Sequence, residues 1–80
     1  MEKEWNKIVK EIAQKAKKEG LGILVCVEQQ EGINAITGKV EKISASGIKL
    51  YGSYIIPYED IVSIGYKGIL YRKNELWSSF

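Results

Sequence analysis

The eighty residues contain no histidine, one cysteine and one proline. Without histidine the chain lacks the side chain most used for proton transfer near neutral pH and a common zinc ligand. With a single cysteine it can close no internal disulfide. Cys26 sits in the apolar run Ile23-Leu24-Val25-Cys26-Val27, where a buried, reduced thiol is expected. That run is far too short to cross a bilayer, so no membrane contact is expected. The opening residues Met-Glu-Lys-Glu-Trp-Asn-Lys-Ile are charged and amphipathic, unlike a secretory leader, and a cytoplasmic location is expected.

Neither sign of charge dominates. The net charge is +2, and it is unevenly spread. Residues 1–20 carry six lysines against four glutamates, and residues 66–80 carry three cations against one acid. Between them, residues 21–65 carry three lysines against five acids. A surface that tracks phosphates would show the opposite bias in the middle segment. With 45% hydrophobic and 28% charged residues the composition is that of a globular protein. Residues 1–80 are expected to form one domain with a thin core, for which self-association is a ready source of further burial.

What is present is periodicity. Trp5, Ile8, Val9, Ile12, Ala13 and Ala16 recur at helical spacing, which predicts an amphipathic helix over residues 3–19. Lys15, Lys17 and Lys18 complement the negative end of its dipole, and Gly20 follows as the terminating glycine. Ile23 to Glu28 reads as an apolar strand covered on both faces, and Gln29-Gln30-Glu31-Gly32 as a hairpin loop. The next strand, Ile33 to Ser44, changes phase. Ile36, Gly38 and Val40 share one parity and Ile43 has the other, which predicts a bulge near Glu41-Lys42 or a sharp coil about Gly38.

Ser46-Gly47 and Gly52-Ser53 mark two more turns, with Ile48 and Leu50 inward and Lys49 and Tyr51 outward. Pro57 cannot donate to a ladder and ends the strand Tyr54-Ile55-Ile56. Tyr58-Glu59-Asp60 then forms a helical turn, and Ile61 to Ile64 the last barrel strand. The expected fold is mainly β with one α-helix. The N-terminal helix (1–20) packs on a five-stranded, strongly bent antiparallel barrel (21–65) of the SH3-like or Sm-like kind. The aromatic tail (66–80) is read as an extra strand through Ile69-Leu70-Tyr71, or as an interface.

These residues resemble a known family. The helix, the acidic loop, Ile36-Thr37-Gly38-Lys39-Val40-Glu41-Lys42-Ile43 and Ile56-Pro57-Tyr58-Glu59-Asp60-Ile61-Val62-Ser63-Ile64 are similar to the YolD-like family of small Gram-positive bacterial and phage proteins. The resemblance spans Ile8 to Ile64. It implies a regulatory accessory role tied to error-prone polymerases, and it brings no catalytic residue. The N-terminal extension common in that family is absent from these residues, and the tail after Gly65 has no counterpart there.

The remaining side chains are weighed against plain structural duties. Glu59 and Asp60 are adjacent, project apart and have no third ligand, so capping is expected of them rather than catalysis or metal binding. Gly20-Leu21-Gly22 precedes a strand, the reverse of a phosphate-binding glycine loop. The tyrosines are more suggestive. Tyr51, Tyr54 and Tyr58 could stack bases or a nucleotide-like ligand, with Lys49 as the accompanying cation. Tyr66, Ile69, Tyr71, Leu76, Trp77 and Phe80 form a candidate protein interface.

The expected function is a non-enzymatic binding or regulatory module acting through protein contacts, with self-association into a homo-oligomer and no cofactor. Edge strands near Ile55 and Ile61 are the expected pairing surfaces. The alternatives are an Sm-like single-stranded RNA binder and a phage-encoded protein that sequesters a nucleotide or other small molecule. Nucleic acid is the less favoured partner.

Overall fold

A computed structural model of the chain describes residues 2–73. Helix α1 (Glu2–Glu19) is followed by β1 (Gly22–Gln29), β2 (Gly32–Ile43), β3 (Gly47–Leu50) and β4 (Ile55–Pro57). A 3-10 turn, η1 (Tyr58–Asp60), leads into β5 (Ile61–Tyr66) and then β6 (Ile69–Arg72). All pairings are antiparallel, in the order β4-β3-β2-β1-β5-β6. The architecture is therefore mainly β with one helix, as expected. The extra strand read through Ile69-Leu70-Tyr71 is present as β6 and joins the five others in one sheet. One correction applies: the sheet does not close on itself.

The helix lies where its stripe directs it. Trp5, Val9, Ile12, Ala13 and Ala16 are buried, and Ile8 is half-buried against the same core. The apolar stripe becomes the helix–sheet contact, each fully buried aliphatic or aromatic side chain contributing about 1.5–3 kcal/mol. Its C-terminus closes as a Schellman motif. The Leu21 amide donates to the Ala16 carbonyl at 3.0 Å and Gly20 to Lys17 at 3.3 Å, with Gly20 at φ +71°.

The long strand β2 belongs to both halves of the sheet. Residues Gly32 to Lys39 pair with β1, and Val40 to Ile43 with β3. The register jumps between Val40 and Lys42, leaving Glu41 as the extra residue, where the phase change predicted a bulge. The bend carries β3 and β4 over the helix side of the sheet. Ile48, Leu50 and Ile56 thereby share one core with Val25, Val27, Ile61 and Ile64. A second bulge, not visible in the hydrophobic pattern, leaves Val62 unpaired opposite Cys26 and Val27.

Two further expectations are corrected. Strand β1 is covered on one face only: Ile23, Val25 and Val27 are buried toward the helix, while Leu24 and Cys26 on the opposite face are half-buried. Strict alternation puts even-numbered residues on the side that α1 does not cover. Nor is β5 an edge in its second half, because Ser63 to Tyr66 pair with β6. Among the described residues the edges are β4 and β6.

Candidate functional site

The tyrosines and lysine singled out as base-stacking candidates do not converge. Tyr58 is 4% exposed, and its hydroxyl donates to the Ser44 carbonyl at 2.7 Å. Burial pushes its pKa up, and Lys10 Nζ sits 5.9 Å from its ring centroid. The ring works as a pin that holds η1 to the β2–β3 turn, where the Tyr58 amide also donates to Ser46 O at 3.3 Å. Lys49 Nζ binds Glu41 Oε1 at 3.0 Å across the bulge, so this cation is already partnered.

Tyr51 and Tyr54 are exposed on the β3–β4 turn. The Tyr54 hydroxyl accepts from Gln29 Nε2 at 3.2 Å, and Gln29 Oε1 accepts from Asn34 Nδ2 at 2.7 Å. This chain of contacts ties the entry to β4 to the β1–β2 hairpin. Of the interface candidates, Tyr66 and Tyr71 are half-buried against the core and Ile69 is exposed on the β6 edge. Leu76, Trp77 and Phe80 lie outside the described residues.

An open concavity among the described residues lies elsewhere, centred on the sheet face opposite the helix. Four strands bring Thr37, Leu24, Gly65 and Leu70 into one row, by the pairings Leu24↔Thr37, Leu24↔Gly65 and Gly65↔Leu70. Gly22 and Gly38 adjoin this row, and the result is an open groove of about 530 Å³. Gly65 brings no side chain to this row, and the Leu24 and Leu70 side chains take the space beside it. A Cβ on Gly65 would stand 3.2 Å from the Leu24 Cβ, tighter than ordinary packing allows, so the crossing of β1 and β5 favours glycine. Leu24, Ile69 and Leu70 supply apolar walls, and the β5–β6 turn supplies the rim.

That turn is a two-residue hairpin, with Tyr66 paired to Ile69. Lys67 (φ 51°) and Gly68 (φ 79°) both adopt left-handed backbone, as a type I′ turn requires. Glycine suits this conformation, whereas lysine adopts it at a cost. The side chain of Lys67 is held in return. Glu19, the last residue of α1, accepts from Lys67 Nζ at 2.9 Å and from the Tyr66 hydroxyl. The Tyr66 and Lys67 contacts hold the Glu19 carboxyl below its usual pKa, while Glu19 pushes both Tyr66 and Lys67 up. The groove rim is thus fastened to the helix C-terminus.

Sequence reading missed this groove. The signals were there in Lys67-Gly68 between two apolar segments and in Gly22, Gly38 and Gly65. What was not there was the cross-strand register that stacks those positions. Among the described residues, no three histidine, cysteine, aspartate or glutamate side chains could hold a metal ion together. No described helix is long and apolar enough to span a membrane. Comparison with protein-family models, with curated proteins and with solved structures finds no match to this chain.

Proposed function

We propose that the chain is a non-enzymatic small-barrel module that works through protein contacts and self-associates by pairing its β4 edge with the β6 edge of another copy. The observation that carries this reading is the pair of edges that no described strand covers. Each is short and presents an exposed isoleucine, Ile55 at 42% on β4 and Ile69 at 55% on β6. Unpaired backbone N–H and C=O groups beside apolar side chains are the usual template for strand addition. Pairing unlike edges is a head-to-tail contact, which builds a ring if the rotation closes.

The order of a helix, four strands, a 3-10 turn and a fifth strand supports an SH3-like or Sm-like reading of the sheet. In this reading β6 takes over the pairing edge that β5 would otherwise present. The YolD-like resemblance adds a regulatory accessory role as part of the same proposal. The RNA-binding reading has less support, since Lys49 is paired with Glu41 and Tyr58 offers no free ring face.

Size-exclusion chromatography with light scattering tests the reading on the full chain and on Ile55→Lys and Ile69→Lys. The wild type should run as a defined oligomer with an absorbance ratio free of nucleotide. Each single variant should run as a folded monomer, because a head-to-tail contact needs both edges. A wild type that stays monomeric at high concentration would sink the proposal.

A further inference from the structure

On the helix side of the molecule, the first half of α1, the β2–β3 turn and η1 meet around a cleft. Asn6, Lys7, Lys10, Ala45 and Tyr58 line an opening of about 240 Å³. A second opening, of about 280 Å³, shares Asn6, Ala45 and Tyr58 and continues past Ser46 and Glu59 to Lys73. Among the described residues Lys49 and Lys67 form ion pairs with carboxylates, whereas Lys7 and Lys10 form none. Lys10 is half-buried, its ammonium held over the Tyr58 ring at 5.9 Å from the centroid. Asn6 is half-buried too, and its carboxamide makes no hydrogen bond with another described residue. Half-buried polar groups ordinarily have partners. Here they line one cleft without any.

We infer that this cleft takes a glutamate or aspartate side chain of a partner protein, presented on an extended peptide segment. The inference rests on the reading of the chain as a protein-contact module, and it uses neither edge strand. Lys7 and Lys10 stand three residues apart on one helix face, so both ammonium groups can reach a single carboxylate. Charge-assisted hydrogen bonds of this kind are roughly twice as strong as neutral ones. The Asn6 carboxamide both donates and accepts, which suits a peptide unit beside that carboxylate. Other ligands fit less well. Each opening is smaller than the roughly 300 Å³ at which small-molecule pockets begin. Tyr58 is 4% exposed and offers no free face for a base. Glu59 in the second opening repels a phosphate dianion, yet it can accept from a peptide N–H.

The test is titration of the isotope-labelled full chain with the blocked peptide acetyl-Gly-Ala-Glu-Ala-Gly-amide, followed by amide chemical shifts. The signals of Asn6, Lys7, Lys10, Ala45 and Tyr58 should move together and saturate, while those of Leu24 and Leu70 stay in place. The same peptide with Gln for Glu should move none of them. Lys10→Gln should weaken binding about tenfold. For Lys7→Gln, at an exposed position, the loss should be about threefold. Lys17→Gln removes the same charge near the far end of the helix and should leave affinity unchanged. An equal loss at Lys17 would show bulk charge attraction and overturn the inference. No saturable shift with the Glu peptide, equal shifts with the Gln peptide, or tighter binding of inorganic phosphate or oligothymidylate would overturn it as well. Light scattering on the same samples keeps the two proposals apart. A monomer that binds the peptide loses only the edge pairing, and an oligomer that binds none loses only the cleft.

Discussion

The indole Nε1–H of Trp5 donates to the main-chain carbonyl of Ile61 at 2.8 Å, inside the core, joining the first helix to the start of β5. Both residues are essentially without solvent exposure, Trp5 at 1% and Ile61 at 0%. The bond sits at the start of β5, two residues before its ladder with β6 begins, so that carbonyl has its partner in the helix. A buried carbonyl needs such a partner, which makes Trp5 a specific anchor as well as a large apolar one.

Trp5→Phe keeps most of the apolar contact and removes the donor. The orphaned Ile61 carbonyl should cost about 1–3 kcal/mol in urea unfolding. Trp5→Ala adds a cavity and should cost about 3–5 kcal/mol, enough to unfold a domain this small. Equal stability of Trp5→Phe and the wild type would mean that the bond is not formed in solution.

Gly47 is where β3 and β4 approach most closely. A Cβ there would lie 2.1 Å from the Ile56 carbonyl oxygen, and backbone cannot swing aside as a flexible side-chain tip does. Gly47→Ala should therefore destabilise by about 1–3 kcal/mol or more, as overpacking does. Hydrogen exchange should quicken first in β4, which has β3 as its ladder partner. A variant with wild-type exchange in β4 would contradict the close approach.

Deleting Glu41 should leave the pairs Val40↔Leu50, Lys42↔Lys49 and Ile43↔Ile48 formally in register and yet unfold the domain. Those pairs already flank the extra residue, so its loss makes the ladder regular and takes away the bend. With the bend gone, Ile48, Leu50 and Ile56 no longer reach the helix core. Glu41→Ala, by contrast, keeps the extra residue and removes only a partly exposed ion pair with Lys49, at about 0–1 kcal/mol. Thermal melts of the two variants decide the matter, and a deletion as stable as Glu41→Ala would show the bulge to be dispensable.

The fastening of the groove rim should show in the pH dependence of stability. The Glu19 carboxyl is held below its ordinary 4.5 by the Tyr66 hydroxyl and Lys67. Its contribution is present above the unfolded value and is lost as pH falls through the lower folded one. Tyr66 and Lys67 are raised by Glu19 above their ordinary 10.0 and 10.5. Their contribution is complete below those values and is lost as pH rises through the raised ones. Melting temperature against pH should fall at both ends, and Glu19→Gln should flatten the acid limb and reduce the alkaline one. Tyr66→Phe should reduce the alkaline limb and leave the part due to buried Tyr58, which is also raised. Identical acid limbs for wild type and Glu19→Gln would refute the fastening.

Much of the architecture was readable from local pattern. The helical stripe from Trp5 to Ala16, the terminating Gly20, the phase change at Glu41 and the break at Pro57 each have a local physical cause, and each appears in place. The misreadings share a different cause. Cys26 looked buried because its neighbours are apolar, although alternation turns it to the face without a helix. The second half of β5 looked like an edge because its partner strand lies beyond a Lys67-Gly68 turn whose two positive φ angles are rare for lysine. The groove was illegible for the same reason: Leu24, Thr37, Gly65 and Leu70 are far apart in sequence, and only register brings them into one row.

By itself, the order of residues determined which segments are helical or extended and where the chain bends, since backbone sterics and side-chain period act over a few residues. It also left these eighty residues one cysteine, too few for an internal disulfide, and no histidine. Which face of each strand is covered, which edges stay open and where a groove forms were decided only when the strands paired. Those properties depend on contacts between residues dozens of positions apart, and no local preference encodes them.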